Sequence, residues 1–150
     1  MDWREKVNRL RFAGWNLKII GHVAGADRTA LGDLSCGRVA RPRYELGSVI
    51  VQWNELAERS GLLRPYPEER VHVSRADERV ATVDLEELAR LRLMNQAIAR
   101  RIGAWDGAVT SWRNYSQSIP KVFADAITRM LLDCRNAGLF DFLCQRRYPE

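Results

Sequence analysis

The sequence predicts an all-α protein built from two copies of one small helical module. Three observations carry this. Apolar residues recur at spacings of three and four along most of the chain, the period of a helix buried on one side. Two short helical stretches meet at Gly25, with Asp27 placed to cap the second. A shift of 78 residues, which carries Ile20 onto Ile98, also carries Leu10, Gly25, Ala26, Ala30 and Pro42 onto identical residues. Similar types match elsewhere: Gly21 with Ala99, Leu31 with Val109, Leu34 with Trp112 and Val49 with Ile127. The matches sit at a turn, a small packing position, core anchors and a proline, which is where a repeated module must keep its residues.

Taken in order, residues 3–14 read as a helix. Trp3, Val7, Leu10 and Phe12 mark its apolar side, Arg4, Arg9 and Arg11 face out, and Gly14 ends it. Leu17 to Ala24 follows, with Ile20, Gly21 and Ala24 on one stripe. Gly25 suits a turn with positive φ, which only glycine adopts without penalty. Asp27 to Leu34 is the next helix, pinned by Leu31 and Leu34, with Arg28 and Thr29 exposed in its first turn. Gly37 closes it, and Val39 to Arg43 forms a basic loop. Pro42 suits a helix start, and residues 43–59 continue as a helix whose core face is Tyr44, Val49, Ile50, Trp53 and Leu56.

Residues 61–67 hold two prolines two apart and cannot stay helical. Val71 to Val73 and Val80 to Val83 are short, β-branched and alternating, which fits a small β-hairpin between the two halves. An ordered strap and a loose linker fit the same residues. Asp84 is placed to cap a helix carrying Leu85, Leu88, Ala89 and Leu91. Asn95 to Gly103 is the next helix, and a further one opens with Trp105, Asp106 and Gly107 and runs through Val109 and Trp112. After a loop from Arg113 to Ile119, a helix runs from Pro120 to about Asn136. The apolar tail Leu139 to Leu143 must dock on a lobe or meet a partner.

Composition bounds the function. Hydrophobic residues make up 46% of 150, with five Trp, enough for a packed core, so disorder is not expected. The net charge of +5 is compatible with a polyanionic partner. Cys36, Cys134 and Cys144 form no close pairs, which argues against a disulfide framework and for a reducing cytoplasm. With only His22 and His72 and no Cys-x-x-Cys, no metal site or cofactor is expected. Residues 1–6 carry no apolar run, so no signal peptide is expected there, and no stretch approaches a membrane span. No cluster of nucleophile, base and orienting group points to an enzyme.

Both halves resemble the lambda-repressor/Cro-like helix-turn-helix family. In the first, over roughly residues 7–58, the resemblance lies in Gly14-Trp15, Ile20, Gly25, Leu31, Leu34, Gly37 and the run Arg41-Pro42-Arg43-Tyr44. In the second, over roughly 85–135, it lies in Ile98-Ala99, Ile102-Gly103, Val109, Trp112 and Pro120. Leu17 departs from the pattern, which often has a polar residue there that touches a phosphate; Asn95 keeps one in the second copy. The resemblance implies two tandem lobes, residues 1–61 and 84–150, joined by residues 62–83. It also implies a DNA-binding, repressor-like regulator of transcription in a phage, prophage or bacterial setting.

Docked as that family docks, the first lobe reads bases with Arg28, Thr29 and Asp33. Arg28 offers a forked donor to guanine O6 and N7, Thr29 a methyl or hydroxyl, and Asp33 an acceptor for a cytosine amine. Arg38, Arg41 and Arg43 follow where the duplex backbone passes, and phosphate contact is their expected task. In the second lobe the corresponding surface is Thr110, Ser111, Arg113, Asn114 and Lys121. Asp106 and Gly107 at its tip are poor for groove entry. That tip and the apolar tail favour an alternative, a protein-interaction module or phage-borne inhibitor gripping RNA polymerase or a defence complex. A homodimer is compatible with either.

Overall fold

A computed structural model describes residues 2–38, 42–80, 83–115 and 117–145. Four helices build the first half: α1 (Trp3–Ala13), α2 (Leu17–Ala24), α3 (Arg28–Ser35) and α4 (Tyr44–Arg59). A long strap follows and carries the short strand β1 (Arg79–Val80). The second half holds α5 (Leu85–Arg90), α6 (Asn95–Ile102), α7 (Ala108–Tyr115), strand β2 (Ile119–Pro120), α8 (Lys121–Ala137) and α9 (Leu139–Gln145).

The helix ends are fixed by local chemistry. Asn16 accepts from the Ile19 N–H at 2.8 Å to start α2, and Asp27 accepts from Ala30 N at 2.7 Å to start α3. Asp84 does the same for α5 through Glu87 N at 2.8 Å. Gly25 and Gly103 end α2 and α6 in the left-handed conformation, at φ 71° and 80°.

The 78-residue register reappears in the backbone. Helix α6 is α2 moved by 78 residues at both ends. Ala26 N donates to Gly21 O at 3.0 Å, and Ala104 N donates to Ala99 O at 2.9 Å. The turn after α1 repeats as well. Gly14, at φ 127°, donates to Arg11 O, and Arg92, at φ 59°, donates to Ala89 O, both at 3.1 Å. Arg92 is the one non-glycine with positive φ among the described residues, and it stands where the register puts Gly14.

The two halves share one continuous apolar core. Leu10, Trp15, Ile20, Leu31, Ile50 and Trp53 join Leu88, Leu91, Ile98, Val109, Trp112 and Ile127 in a single cluster. Trp15 is the seam. It is fully buried, its ring packs edge-on against Trp53 with centroids 4.9 Å apart, and its Nε1–H donates to Leu91 O of the second half at 2.7 Å. The apolar tail forms α9 and docks against α4 and α8, burying Leu139, Phe142 and Leu143. Phe142 reaches Trp53, with ring centroids 6.0 Å apart.

The expected hairpin does not form. Strand β1 pairs antiparallel with β2, Arg79 opposite Pro120 and Val80 opposite Ile119. Alternating valines mark a strand but not its partner, and the edge beside α8 is the one that takes β1. Arg79 reinforces the pairing by donating to Ser118 Oγ at 2.8 Å and Ser118 O at 2.7 Å. The other valine segment is not a strand: Val71 N donates to Gly103 O at 2.8 Å instead. Residues 81 and 82 of the expected second strand lie outside the described residues.

The strap is therefore held rather than loose. Leu62 is buried, and the Arg101 guanidinium on α6 donates to Arg64 O at 2.7 Å and Leu62 O at 2.8 Å. The same guanidinium lies 4.0 Å from the Tyr66 ring centroid, and the Tyr66 hydroxyl donates to Phe12 O. This corrects Phe12, which is 46% exposed and covered edge-on by Tyr66 instead of by the core. Tyr44 is also corrected: it is 86% exposed, because the buried stripe of α4 runs through Gly47, Ile50, Asn54 and Ala57.

Candidate functional site

The turn between α2 and α3 projects the first candidate surface. Left-handed Gly25 reverses the chain, and the Asp27 carboxylate caps α3, so that α3 starts with Arg28, Thr29 and Ala30 all exposed. A Cβ built at Gly25 would meet nothing within 4 Å, so the turn is open. Arg43 immediately precedes α4 and is exposed. Among the described residues, neither Arg28 nor Arg43 has a carboxylate within ion-pair distance.

Arg43 and the turn share one groove of about 380 Å³, lined by Ala24, Gly25, Asp27, Ala30 and Pro42 among others. The start of α3 and the start of α4 thus converge on one side of the lobe. Asp33 is half-buried and lies 3.6 Å from Arg38, whose own N–H donates to Asp33 O at 2.9 Å. That pair offsets the negative charge that would otherwise repel a phosphate. Arg41 lies outside the described residues.

The second surface is built differently. Its turn is covered, because a Cβ at Gly103 would come within 2.8 Å of Val71 Cγ2 of the strap. Helix α7 begins at Ala108, later than the expected start at Trp105. Trp105 is drawn down onto the lobe instead, edge-on to Trp112 at 5.6 Å and to Phe123 at 6.4 Å. Aromatic packing outweighs another turn of helix there, since Gly107 is a poor helix residue.

Asp106 does not present a bare negative tip. Its Oδ1 lies 3.7 Å from Arg70 and 3.5 Å from Arg100, and Gln96 donates to its Oδ2 at 3.4 Å. Two guanidinium groups thus flank the Asp106 carboxylate, in a pocket that Glu68 and Glu69 also line. Arg70 was not legible as part of the site, since it sits among acidic residues in the strap and meets Asp106 only through the fold.

On α7, Thr110, Arg113 and Asn114 are exposed on one stripe, while Ser111 is half-buried. Asn95 ties two of them together. Its Nδ2 donates to Thr110 Oγ1 at 3.2 Å and its Oδ1 accepts from Arg113 at 3.1 Å. Lys121 is engaged with Glu78, 3.6 Å away, and its backbone N–H donates to Glu78 O at 2.8 Å.

The cysteines are unlike one another. Cys36 and Cys144 are exposed, whereas Cys134 is buried on α8. Burial pushes the Cys134 thiol up to about 12, against a smaller lowering by its hydrogen bond with Ser60. No helix among the described residues is long and apolar enough to cross a membrane. No family model, curated protein or solved structure matches the chain.

Proposed function

We propose that this chain is a site-specific double-stranded-DNA-binding protein that regulates transcription, built of two helix-turn-helix lobes in tandem. One observation carries the reading: the open Gly25 turn, the exposed start of α3 and Arg43 converge on one groove. Arg43 lies in that groove as a cation for the backbone, and Arg28, the exposed first residue of α3, offers a forked guanidinium for base edges. Arg38 and its Asp33 partner flank it. In the second lobe the Thr110–Asn95–Arg113 network supports a second reading surface, with Asp106 offset by Arg70 and Arg100. The lambda-repressor/Cro-like resemblance supplies the phage or bacterial setting.

Binding of a random duplex pool across a salt series tests this. Affinity should fall steeply with salt. Arg28→Ala should relax preference at one position by about 1–3 kcal/mol. Arg43→Ala should weaken all duplexes alike and lower the salt slope by about one. Salt-independent binding, or two variants that bind as the parent does, would overturn the proposal. A protein-gripping module would need the acidic tip and the apolar tail free. Both are engaged within the chain, Asp106 by two arginines and the tail by α4 and α8.

A further inference from the structure

The corner after α5 carries two cations that its counterpart after α1 lacks. In the 78-residue register, Arg90 and Arg92 stand where the first half has Phe12 and Gly14. Arg92 holds φ 59°, a region that glycine enters freely and arginine only under strain. It is half-buried, and its guanidinium has no hydrogen bond or ion pair among the described residues. A cation held in a strained backbone, partly desolvated and unpaired, calls for a ligand of opposite sign. Arg92 lines a cavity of about 390 Å³ between the end of α5 and α9. Arg90 lines it too, exposed and likewise without a carboxylate within ion-pair distance among the described residues. Phe140 and Leu143 supply apolar surface, and Asp141 and Cys144 complete the described lining. The walls are anchored: Leu91 between the two arginines is buried, and α9 lies against α4, α5 and α8.

We infer that this cavity binds a small organic monoanion, a carboxylate borne on an apolar body. Its volume falls within the range of about 300–1,000 Å³ usual for small-molecule sites. The two guanidinium groups offer forked donors that match a carboxylate. Phe140 and Leu143 offer a surface for the apolar body that carries it. Asp141 on the same lining repels a second negative charge, which disfavours a dianion such as phosphate. The inference is independent of the DNA reading, since none of these residues belongs to α3, α4 or α7.

Protection of Cys144 from iodoacetamide tests this on the full chain, read by peptide mass at constant ionic strength. Cys144 lines the cavity, whereas Cys36, also exposed, does not, and so serves as the internal control. Benzoate at about 10 mM, the scale on which so small a ligand half-fills a site, should halve the rate at Cys144 and leave Cys36 unchanged. Inorganic phosphate and benzylamine should protect neither. Arg92→Gly and Arg90→Gln should each abolish the protection. Arg92→Gly should melt no lower than the parent, because glycine relieves the strain at φ 59°. No protection by benzoate, or equal protection by phosphate or benzylamine, overturns the inference. So does protection that survives both substitutions. An Arg92→Gly variant that melts well below the parent makes Arg92 a structural residue and overturns it as well.

Discussion

Substitution of Gly14 by alanine should cost far more stability than the same change at Gly25, although both glycines end helices at positive φ. At Gly25 φ is 71° and a new Cβ would have no neighbour within 4 Å. The cost there is the left-handed backbone alone, about 1–2 kcal/mol. At Gly14 φ is 127°, and the new Cβ would lie 2.7 Å from Ala97 Cβ and 3.1 Å from Leu93 Cδ2. Both neighbours belong to the second half. Backbone strain of about 1–3 kcal/mol then adds to an overpacking penalty of about 1–3 kcal/mol. The expected difference between the two variants is about 2–3 kcal/mol. Urea unfolding followed by tryptophan fluorescence, with the slope checked against the parent, measures it. Equal losses in the two variants would refute the close approach of the halves at this corner, and with it the seam through Trp15.

Three further outcomes follow from named contacts. Arg101→Ala removes two hydrogen bonds to strap carbonyls and a guanidinium over Tyr66, so it should cost about 2 kcal/mol; urea melts and faster proteolysis near residues 62–66 would report it. The Cys134 thiol ionises near 9.0 when unfolded and near 12 when folded, so the unfolded chain loses its proton first as pH rises. Stability is therefore full below pH 9 and falls by about 1.4 kcal/mol per pH unit above it, and Cys134→Ala should flatten that part of the profile; an unchanged profile in the variant would remove the thiol as the cause. Asp106→Asn releases Arg70 and Arg100 from their shared carboxylate. It should tighten duplex binding and steepen its salt dependence, and weaker binding in a salt titration would count against a second DNA-facing lobe.

The parts of this fold that were legible in the sequence are those fixed within a few residues. Asp27, Asp84, Gly25 and Gly14 cap or end helices through bonds three to five residues away, so type and spacing sufficed. The repeat was legible because it preserves such local features. The failures involve partners distant in sequence. Val80 looked like half of a hairpin, but its partner Ile119 is far along the chain. Phe12 and Tyr44 have the apolar character of core residues, yet Phe12 is covered by Tyr66 of the strap and Tyr44 stands exposed. At the candidate site, Arg28, Thr29 and Arg43 were readable because the turn and cap chemistry expose them. Neutralisation of Asp106 was not, since Arg70 reaches it only after the strap has folded across the second lobe.

That strap explains how two copies of one module come to be unequal. The register gives both lobes the same turn with nearly the same φ, yet the first is open and the second carries Val71 across it. Val71 N satisfies the Gly103 carbonyl, and Arg101 holds the neighbouring strap by its backbone. A valine stands at the place of Arg101 in the first lobe, Val23, and it is buried in the core. The arginine at this position thus holds the strap at residues 62 and 64, while Val71 covers the turn itself. The open turn is the one that leaves Arg28 and Thr29 exposed beside it, while the strapped lobe presents α7 through the Asn95 network, further along the helix. On the proposed DNA reading, two surfaces with different donors at different points of the helix would read two different sequences.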